Sequence, residues 1–194
     1  MSSCIETGGE NSPVSNADGT HAGYRRLVEV WRSLPATPSG HRYKSDFNPM
    51  AFGPLLSRVN LYERLDDGRI TFRVVGSENE RLMGRGLIGQ SILELLPESD
   101  RPFYNRIYTA LEDVPCLAYF EQTARFYGGR TFDAVCYLAP LADEEGWPRY
   151  FLSVNDSNQF RILALIHEGL DMMSLTCTKY GLEDLGHGVP SVEA

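Results

Sequence analysis

The sequence predicts an α+β domain built on one five-stranded antiparallel sheet, with short helices on one face and a further helix flanking the sheet at each end. Three observations lead there. The order of elements is helix, two strands, several short helices, then three strands, and a helical crossing between a hairpin and a meander gathers the helices on one face. In the strand read over 130–141, Phe132, Ala134, Cys136 and Leu138 occupy one parity and Val135, Tyr137 and Ala139 the other, so both faces of the sheet need a cover. The length of 194 residues, with 42% hydrophobic and 23% charged side chains, suits a single globular domain.

The elements follow in order. Residues 1–22 are rich in Ser, Gly, Asn and Glu and are expected to form a disordered tail. Tyr24, Leu27, Val28, Trp31 and Leu34 then share one helical stripe over 23–34, and Pro35 and Pro38 end it. The first strand is expected over 55–62 and the second over 70–75, joined by an Asp67-Gly68 turn. Ser77 and Glu80 have the spacing of a capping box, so a short helix starts there and is broken by Gly84, Gly86 and Gly89. A helical piece at 91–96 precedes a longer helix that opens at Ser99 or Asp100 with Pro102 in its first turn, and Phe103, Ile107, Tyr108 and Leu111 form its apolar side. Strands over 117–127, 130–141 and 149–155 close the domain, which is expected to span 23–158. The remaining 159–194 read as a C-terminal helix and tail, with Leu163, Ile166, Leu170, Met173 and Cys177 stepping by three and four.

Composition excludes several classes. A net charge of -8 argues against a nucleic-acid surface across the domain, and the local cluster of Arg25, Arg26, Arg32, Arg42 and Lys44 reads more simply as a solvated face. No apolar run reaches the roughly 20 residues of a membrane helix, and the N-terminus has neither the basic nor the apolar region of a secretory signal. Cysteines at 4, 116, 136 and 177 lack the spacing of a zinc site or a disulfide framework, so a reduced, cytoplasmic protein with no metal is expected.

Three stretches carry a family resemblance. They are Gly76-Ser77-Glu78-Asn79 running to Leu87-Ile88-Gly89-Gln90-Ser91, then Gly128-Gly129-Arg130-Thr131-Phe132, then Pro140-Leu141-Ala142-Asp143-Glu144-Glu145-Gly146 followed by Ser153-Val154-Asn155-Asp156. With the element order, these make residues 23–158 resemble a PAS domain, and in particular the stand-alone PAS-domain proteins of alphaproteobacteria. Asp156-Ser157-Asn158 departs from the family's usual Asp-Ile-Thr ending, which puts the usual junction to an output domain in doubt. The resemblance implies a non-enzymatic sensory or protein-interaction module that signals through its flanking helices and is gated by a small apolar ligand. It also implies pairing through those helices, for which Leu27, Trp31, Leu163, Ile166 and Leu170 are the expected homodimer interface; a fold-back of the C-terminal stripe on its own sheet is the competing arrangement.

The residues narrow the ligand chemistry. Haem is disfavoured because no histidine falls on the long helix, and a covalent flavin is disfavoured because Ser-Glu-Asn-Glu-Arg-Leu-Met offers no cysteine; the cofactor is left unassigned. Arg81 and Arg85 are spaced to share a helix face and could clamp an anion, or they simply face solvent. The expected wall of an apolar pocket is Phe72, Val74, Leu82, Met83, Leu96, Ile107, Phe120 and Cys136, with Asn79 as the polar group that orients a ligand. The same residues equally describe a filled core. No catalytic residue is assigned. The enzymatic alternative is a cone-shaped pocket of the ketosteroid-isomerase kind, with Asp133 as base and Tyr137 or Tyr119 as oxyanion donor.

Overall fold

A computed structural model describes residues 21–84, 86–126, 129, 131–156 and 172–192. Helix α1 (Ala22–Ser33) comes first, and after a turn the two-residue strand β1 (Arg42–Tyr43) follows. Two short 3-10 segments, Lys44–Asp46 and Pro49–Arg58, lead into β2 (Val59–Arg64), so the first strand starts later than the expected 55–62. Pro49 and Pro54 withhold ladder donors, and Gly53 takes φ +53, which keeps that stretch coiled until Val59. Strand β3 (Ile70–Val75) returns through a turn in which Gly68 sits at φ +83. Helix α2 (Ser77–Met83) starts from Gly76, whose carbonyl accepts the Glu80 amide, so Ser77 is the first helical residue and not the cap. A 3-10 turn at Ile92–Leu95 precedes α3 (Arg101–Asp113), and then come β4 (Leu117–Phe126), β5 (Thr131–Ala142), β6 (Pro148–Asp156) and β7 (Met172–Glu183).

The strands form one sheet in the order β3-β2-β6-β5-β4-β7, antiparallel throughout. Strand β1 adds a short parallel pairing, Arg42 with Leu141 and Tyr43 with Ala142. It fills the lane beside β5 beyond Ala118↔Leu138, where β4 no longer reaches.

The alternation read in 130–141 is real and divides two cores. Cys136 and Leu138 face the inner side with Ala118, Phe120, Phe151 and the helices α2 and α3. Tyr137, Ala139 and Leu141 face the outer side with Leu117, Tyr119, Leu152, Val154 and helix α1. Leu27 and Trp31 are 0% exposed, and the Trp31 indole donates to the Pro140 carbonyl at 2.8 Å. Leu27 and Trp31, expected at a dimer interface, are thus packed by α1 against its own sheet.

At the C-terminus the structure departs from the expected helix over part of its length. Residues 172–183 form β7, which pairs with β4 from Leu117↔Glu183 to Phe126↔Met172. Met173 and Cys177 therefore belong to a strand, not to a helical seam with Leu163, Ile166 and Leu170, which lie outside the described residues. The physical reason is twofold: Thr176, Thr178 and Tyr180 favour extended backbone, and β4 would otherwise leave one edge open. Gly181 marks the pairing. A Cβ there would lie 2.3 Å from the Tyr119 ring, so the neighbouring strand's aromatic covers the glycine. No helix among the described residues is long and apolar enough to cross a membrane.

Candidate functional site

The space between the sheet and helices α2 and α3 is packed with aromatic rings. Tyr62 lies 4.9 Å from Phe72, Tyr108 is 4.7 Å from Phe151, and Tyr104 stacks on Phe120 at 5.1 Å. Phe103 meets Tyr180 of β7 at 4.7 Å, so the added strand extends the same layer. Ring pairs at these separations prefer offset or edge-on geometry and bury large areas, which makes the layer a major part of the inner core.

The asparagines beside this layer and the Tyr62 and Tyr104 hydroxyls are hydrogen-bonded within the protein. Asn79, 0% exposed on α2, donates through Nδ2 to Asn60 Oδ1 at 2.8 Å and accepts from Asn155 Nδ2 at 2.9 Å. Asn60 Oδ1 also accepts the Gly76 amide, while Asn60 Nδ2 and the Ser153 hydroxyl both reach the Tyr62 hydroxyl. Tyr104 accepts from Gln122 Nε2 at 2.8 Å. Burial holds Tyr62, Tyr104 and Tyr108 far above the usual phenol range. It pushes the Cys136 thiol up to about 12 and Cys177 up to about 11, so both sulfurs are neutral and weakly nucleophilic.

Of the residues expected to wall a pocket, Phe72, Leu82, Leu96, Ile107 and Phe120 are buried, and Met83 and Cys136 pack half-buried against the inner core. Leu82 belongs to a neighbouring cluster with Ala124, Phe126 and Ala134. Val74 is 41% exposed: the β-bulge between Leu61 and Tyr62 sets it opposite Leu61 of the outer face, while Phe72 and Val75 stay with the inner core. Asn79 lies at the centre, with its donor and acceptor both engaged by the protein.

Further candidates are not brought together. Asp133 is exposed and accepts the Thr123 hydroxyl at 2.8 Å. Tyr137 lies four residues along the same strand, about 13 Å away at strand rise, and packs under α1 against Tyr24. Tyr119, paired with Tyr137, turns to the outer face as well and stands equally far along the strands from Asp133. Arg81 is exposed and Arg85 lies outside the described residues. Among the described residues no three His, Cys, Asp or Glu side chains are placed to hold a metal ion. A surface groove of about 230 Å³ opens between Lys44–Ser45 and Asp143–Glu145, but its cations are already engaged: Arg149 with Asp66 at 2.8 Å and Lys44 over the Tyr150 ring at 5.3 Å.

The residues that sequence reasoning missed sit where the two faces meet. Asp156, at the end of β6, accepts the Gly23 amide of α1 through Oδ2 at 2.6 Å. Its other oxygen faces Arg58 at 3.5 Å, and Arg58 Nε holds Glu78 of α2 at 2.9 Å. Gly23 permits this approach, since a Cβ there would come within 2.9 Å of both Asp156 Oδ2 and Val154 Cγ1. A signal did exist: α1 has no acid in its first turn and its N-cap, His21, makes no side-chain cap, so the helix needs a carboxylate from elsewhere.

The PAS-domain family model matches residues 20–154. The chain belongs to the PAS-domain family. The match takes in α1 and everything through Val154, while β7 lies beyond it. PAS domains are in general non-enzymatic sensory or interaction modules. No curated protein matches the chain. Among solved structures, the chain is similar to an RNA-binding Light-Oxygen-Voltage receptor at 17% identity and a TM-score of 0.41, covering 54% of this chain and 30% of that one. It is also similar to the LOV domain of the blue-light photoreceptor Aureochrome1. The light state gives 18% identity, a TM-score of 0.34 and coverage of 56% of this chain and 88% of that one. The dark state gives 17%, 0.35, 57% and 83%. The match to the RNA-binding receptor thus spans less than a third of that chain.

Proposed function

We propose that this PAS domain is a non-catalytic sensory module in which the ring layer beneath α2 and α3 takes a small apolar ligand and helix α1 on the opposite face is the output. The observation that carries the reading is the asparagine chain Asn60–Asn79–Asn155, in which Asn79 is bonded to both of the others. With these asparagines already engaged, the layer would recognise a guest by shape and apolar contact, because displacing these bonds costs more than a small ligand returns. Admission of a guest requires the rings to repack, and the asparagine chain transmits that repacking to α2 and to the end of β6. The mechanism is a population shift, in which the guest favours one arrangement of the docked helix over another.

Indole, 1-hexanol and benzoate are suitable probes, followed by methyl NMR at Ile107, Leu111 and Leu96. The two neutral probes are expected to shift these methyls at millimolar concentration and the charged one to leave them unmoved. If none of the three shifts them, ligand gating fails and a module that acts by protein contact alone remains. If benzoate alone shifts them, the apolar character assigned to the compartment is wrong.

A further inference from the structure

We propose that Arg58 is a relay between the two faces of the sheet, dividing itself between Glu78 of α2 and Asp156, so that displacement of α2 releases helix α1. All three side chains are largely withdrawn from water, with 10% of Arg58, 20% of Glu78 and 10% of Asp156 exposed. The division is unequal: Arg58 is close to Glu78 at 2.9 Å and loosely placed on Asp156 at 3.5 Å. Glu78 is further fixed by the Ser57 hydroxyl at 2.9 Å. Asp156 meanwhile gives its other oxygen to Gly23 at 2.6 Å, which serves the N-terminus of a helix that has no cap of its own.

These distances define a competition. While Glu78 holds the guanidinium, Asp156 is free to dock α1. When α2 shifts and Glu78 withdraws, a guanidinium with little access to water keeps one partner and cannot stay uncompensated. It closes on Asp156, where two parallel N–H···O bonds are its preferred geometry. The carboxylate then turns from the Gly23 amide, and α1 loses the anion at its positive end. The elements on opposite faces are thus linked through one side chain just before β2. The use of this relay by a ligand rests on the sensory reading above; its existence does not.

The test is a double-variant cycle in a Trp147→Phe chain. Trp147 is 71% exposed, so its removal leaves Trp31 to report α1 docking. Glu78→Ala, Arg58→Met and the pair are compared by hydrogen exchange at the Gly23 amide and the Trp31 indole. Glu78→Ala is expected to speed both by about fivefold or more, a typical coupling between sites, with the β5 amides unchanged. In the Arg58→Met background the same change is expected to act less than about twofold. An equal effect of Glu78→Ala in both backgrounds, or no effect in either, overturns the relay. Where Arg58→Met fails to fold, Asp156→Asn replaces it: the amide oxygen still accepts from Gly23 but offers Arg58 no second charge, and Glu78→Ala must then leave α1 unmoved. An additive cycle rejects the relay and leaves the sensory reading standing; a coupled cycle with α1 indifferent to indole does the reverse.

Discussion

Replacing Asn79 by alanine separates a clamp from a ligand-facing group. The side chain is 0% exposed and makes two hydrogen bonds, 2.8 Å to Asn60 and 2.9 Å to Asn155. Each is worth a net ~0.5–1.5 kcal/mol when both partners are in place. Asn60 Oδ1 keeps the Gly76 amide after the change, whereas Asn155 Nδ2 loses this acceptor, so the loss should centre near 2 kcal/mol, about the sum of two typical bonds. For a chain of this size that corresponds to a fall in Tm of about 4–8 °C. Urea unfolding monitored by far-UV circular dichroism gives the free energy directly, and calorimetry gives Tm. Asn79→Asp should lose at least as much at neutral pH, because a carboxylate would face the Asn60 carbonyl oxygen. Burial would raise that carboxyl above its unfolded value, so the penalty is present above about pH 4 and is relieved as pH falls and the group protonates. A loss below about 0.5 kcal/mol for Asn79→Ala, less than one ordinary bond, would show that Asn79 is not a clamp and would return it to the role of orienting a ligand.

Other expectations follow from single contacts. Gly23→Ala places a methyl 2.9 Å from Asp156 Oδ2 and should undock α1, read as a red shift of Trp31 emission and a loss of about 1–3 kcal/mol. Gly181→Ala drives a methyl to 2.3 Å from the Tyr119 ring and should speed exchange along β7 while sparing β2 and β3. His41, 1% exposed, is bonded to Ser39 through Nδ1 and to the Leu111 carbonyl through Nε2, and burial lowers its pKa below the ordinary 6.5. Below pH 6.5 the unfolded chain therefore binds more protons than the folded one, so stability should fall from pH 7 to pH 5, with His41→Gln flattening that slope. Cys116 and Cys136, pushed up to about 12, and Cys177, up to about 11, should resist iodoacetamide at pH 8 and react on unfolding, as mass spectrometry of the alkylated peptides would show.

Much of this architecture was legible because period and turn chemistry agreed. The two apolar parities of 130–141 announced a sheet covered on both sides, and they are the inner and outer cores. Asp67-Gly68 announced a hairpin, and Gly68 supplies its positive φ. The C-terminal strand was hidden because Met173 and Cys177 satisfy a helical spacing as well as an extended one. What decides between them is the open edge of β4, a tertiary fact that no local pattern contains. Trp31 shows the same limit from the other side: its stripe revealed a buried helix face but not which surface buries it. Asn79 was recognisable as the polar member of an apolar set, yet its partners come from β2 and β6, 19 and 76 residues away in sequence. The Arg58 junction was unreadable for that reason too, since its carboxylates lie 20 and 98 residues distant.

The most direct test of a sensor with its input on one face and its output on the other is hydrogen exchange across α1 with and without indole. In the free protein, Leu27 to Trp31 should be protected as strongly as β5, and indole should accelerate them while β5 stays protected. If indole registers on the Ile107 methyl and α1 exchanges at its former rate, the two faces are not parts of one switch.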